Sequence, residues 1–422
     1  MIIRLKLSEF LPDHHHCSLN QIELKEQVDQ KDQDQKFLEF GRCNLLKQFL
    51  QSGSHSHFIH LEGKKNGQQI ACRQQDQQQY RNFENLYKQH NSMLVEEGID
   101  DLKFNIFKAN QIIGRENSLI IITYHFLSNN EILRSINQDK LMSFLSNIYQ
   151  GYRRDVAYHN DLHGADVVQS SQILLNQGLR KMAAFDALDE FSFIIACACH
   201  DYKHDGFNNQ YHINSLSERA IRYNDVSVQE NFHVASAFED LMRPENNFLE
   251  QLDITQQKIF RKRMIESILA TDMAKHFDKL KAFQQCIQKD TLGFNTYLPC
   301  PSDQPSKQTQ DLFNIAIHAA DLGIHCRTFE LSLKWSELLH EEFFFQGDEE
   351  RRLGLPTMDI FDRVKNDVSK NQIGFIKFFV LPLYISISEV VPDAKEQVEN
   401  IESNIENWGT YKYTHPKNIE LE

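Results

Sequence analysis

Four short stretches put histidine and aspartate where a helical core would hold apolar residues. "VAYHNDLHGADVV" carries His159 and His163, four residues apart, with Asp166 three further on. "IIACACHDYKHDG" ends an apolar run on His200 and Asp201, and His204 follows. "LATDMAKH" holds Thr271 and Asp272, and "IAIHAADLG" holds His318 and Asp321. A single buried histidine or aspartate is ordinarily a hydrogen-bonded core group. Four such clusters need another account, because unpaired charge is costly to bury. A histidine on one helix, an adjacent His-Asp pair on a second and an aspartate on a third make an H…HD…D ligand set. Imidazole with carboxylate suits zinc, and a carboxylate oxygen can reach on to a harder ion such as magnesium. A zinc-protease reading of His159 and His163 is weak, since H-E-x-x-H needs glutamate where Asn160 stands.

The elements that must position these residues read as helices. From about residue 80 onward, apolar residues recur at spacings of three and four, as in "NEILRSINQDKLMSFLSNIYQGYRRD" and "RTFELSLKWSELLHEEFFF". Prolines fall mostly at breaks, as in "LPCPSDQPS" and "GLPTM". The expectation is an all-α, multi-helix domain over 81–422 with one or two long loops. Before residue 80 the chain is rich in Gln and His, and 1–80 reads as a small N-terminal extension that could regulate or anchor. "HFIHLEGKKNGQQIACR" within it reads as a β-hairpin turning at Asn66-Gly67.

Composition sets the class. The 422 residues are 41% hydrophobic and 25% charged, ordinary for a globular protein able to bury a large core. The net charge of −14 argues against a nucleic-acid partner. It does not exclude an anionic ester, because bound divalent cations reverse the local field. Cys197 and Cys199 lie in an apolar run and read as buried thiols of a reducing compartment. The opening residues do not read as a secretory signal, and the apolar runs read as too short to span a membrane. The expected address is the cytoplasm; a ciliary or membrane-proximal one would leave no mark in these residues.

"YHNDLHGADV", "HDYKHDGFNN", "YNDVSVQENFH", "LATDMAKHF", "HAADL", "EEFFFQGDEE" and "NQIGFI" resemble, in order, the signatures of class I 3′,5′-cyclic-nucleotide phosphodiesterase catalytic domains. The resemblance runs from about 80 to about 410. "YHNDLH", "HDYKH" and "RLGLP" are most similar to the calmodulin-regulated branch, without assigning a subfamily. The resemblance implies an HD-type domain that hydrolyses cAMP, cGMP or both to 5′-nucleoside monophosphates, ending second-messenger signals. It implies His163, His200, Asp201 and Asp321 as zinc ligands, with Asp201 reaching a second ion, magnesium or manganese. It implies His204 near the site, and Asn209, Glu230 and Thr271 bonding metal-bound waters. The nucleophile would be a metal-bridging hydroxide. His159, one helical turn and roughly 6 Å before His163, would be the general acid to the 3′ oxygen. Glu342 is the candidate carboxylate that keeps it protonated. Gln372 would read the purine edge through its amide, Phe375 and Leu339 would clamp the ring, and Tyr158 would line the pocket. The partner is then the cyclic nucleotide, with a homodimer or an anchoring assembly through 1–80 as further options.

Three stretches depart from the family pattern. Gly164 stands where alanine is usual, "ENHH" reads Glu230-Asn231-Phe232-His233, and "DLSNP" reads "DLGIHCRTF". Ile324 therefore takes the place of an asparagine that can contact adenine in cAMP-selective members. A purely cAMP-selective pocket does not fit that change. Two other readings share the ligand set: a different HD-type phosphohydrolase such as a nucleotidase, and a subunit, active or silent, of a larger assembly.

Overall fold

The computed structural model describes residues 83–182, 185–288 and 307–413. The expected boundary near 80, the hairpin at 57–73 and the proline-rich loop at 298–306 lie outside the described residues. All described elements belong to one compact unit, Gly67–Glu422. They are helical throughout, with no strand among the described residues, in agreement with the all-α expectation. The helices that build the site are α1 (Arg115–Leu127), α2 (Asp161–Leu174), α3 (Ala187–Cys199), α4 (Val228–Leu241), α5 (Ile254–Ile268), α6 (Lys307–Asp321), α7 (Phe329–Leu353), α8 (Val368–Phe375), α9 (Leu381–Val390) and α10 (Lys395–Thr410).

Helix α2 is the axis of the domain. All its residues are buried, polar ones included, as expected of a helix enclosed on every side. It packs against α1, α3 and α6, and α3 packs against α5. Arg263 on α5 ties the bundle together. Its Nε donates to Asp189 on α3 at 2.8 Å and its Nη1 to Gln310 on α6 at 3.0 Å. Cys197 and Cys199 are free and buried, as their apolar run suggested.

Two glycines stand where a side chain would crowd its neighbours. A Cβ on Gly347 of "FFQGDEE" would lie 2.0 Å from the Phe361 carbonyl oxygen, so only glycine lets that loop close on α7. A Cβ on Gly164 would meet the Tyr152 hydroxyl at 3.1 Å, a tight approach that glycine relieves.

One described helix, Val368–Val390, is long and apolar enough to cross a membrane by length and composition, against the expectation of none. It runs from α8 through a π-helical turn at Ile376–Val380 into α9. Val368, Ile376, Val380, Leu383 and Ile387 bury one side of it in the core cluster, and it packs on α10. The apolar length therefore has a use inside the fold.

Candidate metal centre and active site

The central cluster forms where three helices end or begin. Asn160 caps α2, its Oδ1 accepting the Leu162 N–H at 3.0 Å, and His163 sits in the first turn. His200 caps the C-terminal end of α3, and Asp321 is the last residue of α6. His163 and His200 are fully buried. Their Nε2 atoms stand 3.2 Å apart. Asp201 Oδ2 lies 3.1 Å from His200 Nε2 and 3.5 Å from His163 Nε2. Asp321 Oδ1 lies 3.1 Å from His163 Nε2 and 3.4 Å from His200 Nε2.

Hydrogen bonding on the far side of the His200 ring shows what this cluster suits. His200 Nδ1 donates to the Cys197 carbonyl at 2.9 Å, which leaves the Nε2 lone pair facing inward in the neutral ring. A lone pair, a second imidazole nitrogen and two carboxylate oxygens then converge within contact distance. Against burial, the Asp201 and Asp321 carboxylates hold the His200 pKa well above its ordinary value, so the set favours positive charge among its atoms, and two imidazoles with two carboxylates are a chemically suitable donor set for a divalent ion. This part of the protein is a His/Asp cluster that can bind a metal.

The other oxygen of Asp201 faces away from that cluster. Oδ1 lies 3.7 Å from His233 Nε2, a buried nitrogen with no hydrogen-bond partner. His233 Nδ1 donates to the Tyr202 carbonyl at 2.7 Å, and burial pushes its pKa down to about 3. A neutral lone pair therefore faces a carboxylate oxygen, and Asp201 presents one oxygen to each of two places. His233 was not nominated from the sequence. It follows Glu230 by three residues on α4, a same-face spacing that could have found it.

Glu230 is held by Asn209, whose Nδ2 donates to both carboxylate oxygens at 3.2 and 3.0 Å. Burial, then the Asp272 charge, raise Glu230 to about 7 despite that bond. Thr271 is buried and donates its hydroxyl to the Ile268 carbonyl at 2.9 Å, which leaves its oxygen able to accept. Asp272 belongs elsewhere, accepting from Ser227 Oγ at 2.6 Å. His318 pairs with His276 at 2.9 Å. Asp166 is paired with Arg327 at 3.0 Å, which makes it part of a helix network.

His159 stands beside the cluster, its ring centroid 5.6 Å from that of His163. The helical placement expected for it does not hold. Helix α2 begins at Asp161, and His159 precedes the cap in an irregular segment. The spacing came out near the expected 6 Å for another reason. Glu342 on α7 holds the segment, its Oε2 accepting the backbone N–H of Tyr158 at 2.9 Å and of His159 at 3.0 Å. Its Oε1 meets His159 Nδ1 at 2.5 Å. Burial opposes the charged imidazole, but the Glu342 charge and hydrogen bond outweigh it and raise His159 to about 9. Burial alone would raise Glu342; the His159 charge draws it down to about 2. His204 stacks on His159, centroids 4.2 Å apart, and accepts the Gly206 N–H at 3.0 Å. Burial and the neighbouring His159 charge lower it to about 4. One ring of the stacked pair is cationic and the other neutral.

The expected base-reading residues lie on α8 and α7. Gln372 is buried and its Oε1 has no partner. Phe375 is half-buried and stacks on Phe379 with centroids 5.2 Å apart. Leu339 is half-buried on α7. Tyr158, expected to line the pocket, is buried with its ring 4.5 Å from His163 and 5.5 Å from Trp335. Ile324 is buried.

Known proteins share this arrangement of sequence. Residues 158–401 match the family described as 3'5'-cyclic nucleotide phosphodiesterase. The chain belongs to that family. A probable 3',5'-cyclic-AMP phosphodiesterase of Caenorhabditis elegans, pde-4, is 36% identical over 73% of this chain and 45% of its own length. The 3',5'-cyclic-AMP phosphodiesterase 4C of Rattus norvegicus is 35% identical over 72% of this chain and 56% of its own. The chain thus spans about half the length of these curated relatives. Among solved structures, the phosphodiesterase domain of the Salpingoeca rosetta rhodopsin phosphodiesterase superposes with a TM-score of 0.66 at 28% identity. That match covers 75% of this chain and 93% of the other. The His/Asp cluster of His163, His200, Asp201 and Asp321 lies within the matched segment.

Proposed function

We propose that this phosphodiesterase-family chain hydrolyses 3′,5′-cyclic nucleotides to 5′-monophosphates at the cluster around His163. The convergence of two imidazole nitrogens and two carboxylate oxygens, with the His159–Glu342 pair beside it, carries the reading. His163, His200, Asp201 and Asp321 would hold zinc, and Asp201 would also serve a magnesium or manganese ion. When bound, the ions supply an activated water and neutralise charge on the phosphate. The protein does the rest. Nδ1 of His159 is committed to Glu342, so Nε2 carries the proton to be given away. As water adds to phosphorus the P–O3′ bond breaks, and that proton passes to the departing 3′ oxygen. Glu342 stabilises the imidazolium and fixes its ring through two backbone bonds, much as a buried carboxylate orients a catalytic histidine.

Gln372 supports use of both purines. No partner fixes its Oε1, so its amide can present either a donor-acceptor order for adenine or the reverse for guanine. Ile324 supplies no hydrogen bond that would favour adenine. Incubating the purified full chain with cAMP and with cGMP tests this reading. Both should give the 5′-monophosphate; a 3′-monophosphate product, or turnover of neither, would overturn it.

A further inference from the structure

Phe232 departs from the histidine usual in "ENHH", and its neighbours show what the change accommodates. The Arg219 guanidinium lies over the Phe232 ring, 3.7 Å from its centroid. The same guanidinium pairs with Asp205 at 3.0 Å and donates to Gln229 Oε1 at 2.7 Å. Gln229 is buried, and its Nε2 donates to Asp205 Oδ1 at 2.9 Å and to the Phe207 carbonyl at 2.8 Å. Every hydrogen-bonding group of the Gln229 amide is used. Asp205 also accepts from His212 Nε2 at 3.2 Å.

This closed polar ring joins the segment 205–219 to the first turn of α4. Its connection to the site is direct. The backbone N–H of Gln229 donates to Asn209 Oδ1 at 2.7 Å. That bond fixes which way the Asn209 amide points, so that Nδ2 faces Glu230. His233 faces the Asp201 oxygen that looks away from His163 and His200, and Glu230 feels the Asp201 charge. A shift of α4 would move both of these groups while leaving His163, His200 and Asp321 on their own helices.

We propose that Gln229, closed by Asp205 and by Arg219 over Phe232, is a positioning residue that sets the affinity of the second ion. It acts through Asn209 and Glu230, and the proposal rests on the two-ion reading above. Partners one shell beyond the ligands typically change metal affinity by 10–100-fold, and Gln229 is a step further out.

The test is Mn²⁺ binding to chelator-stripped full chain reloaded with one equivalent of zinc, followed by the electron paramagnetic resonance of free Mn²⁺. Gln229→Leu should weaken Mn²⁺ binding by about 10-fold, with zinc content and the KM for cyclic nucleotide unchanged. In a Glu230→Gln background the same substitution should have almost no further effect. Arg219→Lys, which keeps the charge, should fall between wild type and Gln229→Leu, and it carries the test if the leucine variant fails to fold. Unchanged Mn²⁺ affinity in a folded variant, an undiminished effect in the Glu230→Gln background, or no Mn²⁺ binding by wild type would overturn the proposal. The readout needs no turnover. Failure of wild type to hydrolyse cyclic nucleotides would strike the functional reading alone.

Discussion

Glu342 Oε1 lies 2.5 Å from His159 Nδ1, and the second oxygen of the same carboxylate holds the backbone of Tyr158 and His159. One side chain, distant in sequence, therefore sets both the position and the charge of His159, the proposed proton donor. In the proposed reaction that pair separates the job of His159 from that of His163.

Glu342→Gln tests that relationship through pH. The donor must be protonated, and His159 near 9 keeps activity through neutral pH and loses it as pH rises past that value. Without the carboxylate charge, burial is left to push the imidazole down. The alkaline limb of kcat should move toward acid, and kcat at pH 8 should fall by about 10²-fold. A pH–rate profile measures both. An unmoved limb would remove His159 as the group that titrates.

Arg327→Met tests a structural claim. Arg327 Nη2 donates to Asp166 at 3.0 Å and to Ser170 at 2.7 Å, and also to Gln169. Both members of the ion pair are almost fully buried. Removing one leaves the other uncompensated, at a cost of about 3–5 kcal/mol. Denaturant unfolding should show that loss while zinc content per folded molecule is unchanged. Lost zinc in the folded variant would place Asp166 among the ligands.

Much of the site was legible because its chemistry is local. The apolar runs ending in His200-Asp201 and Asp321 are helix ends in the structure, and buried polar residues in such runs mark a site. The relation of His159 to His163 was misread, because spacing of four suggests a helix turn and gives no sign that Asn160 caps one. Only the tertiary contact with Glu342 sets that geometry. His233 could have been found from its spacing to Glu230. The Asp205–Arg219–Gln229 ring could not, since its members are joined by folding and not by any period.

Ile324→Asn tests selectivity. A carboxamide there can hydrogen-bond adenine, and one net hydrogen bond is worth about 1 kcal/mol. The ratio of kcat/KM for cAMP to that for cGMP should rise roughly fivefold. Competition between the two substrates reads the ratio directly. No change would mean that residue 324 does not face the base.

The central claim is that the four converging ligands hold an ion on which hydrolysis depends. The most direct measurement follows cAMP hydrolysis by the full chain together with its metal content, before and after stripping with EDTA. Activity should vanish as zinc leaves and return when zinc and magnesium are restored, but not in Asp201→Ala, which should fail to regain either ion. Hydrolysis that continues after the metal is gone, or full recovery in Asp201→Ala, would contradict the account.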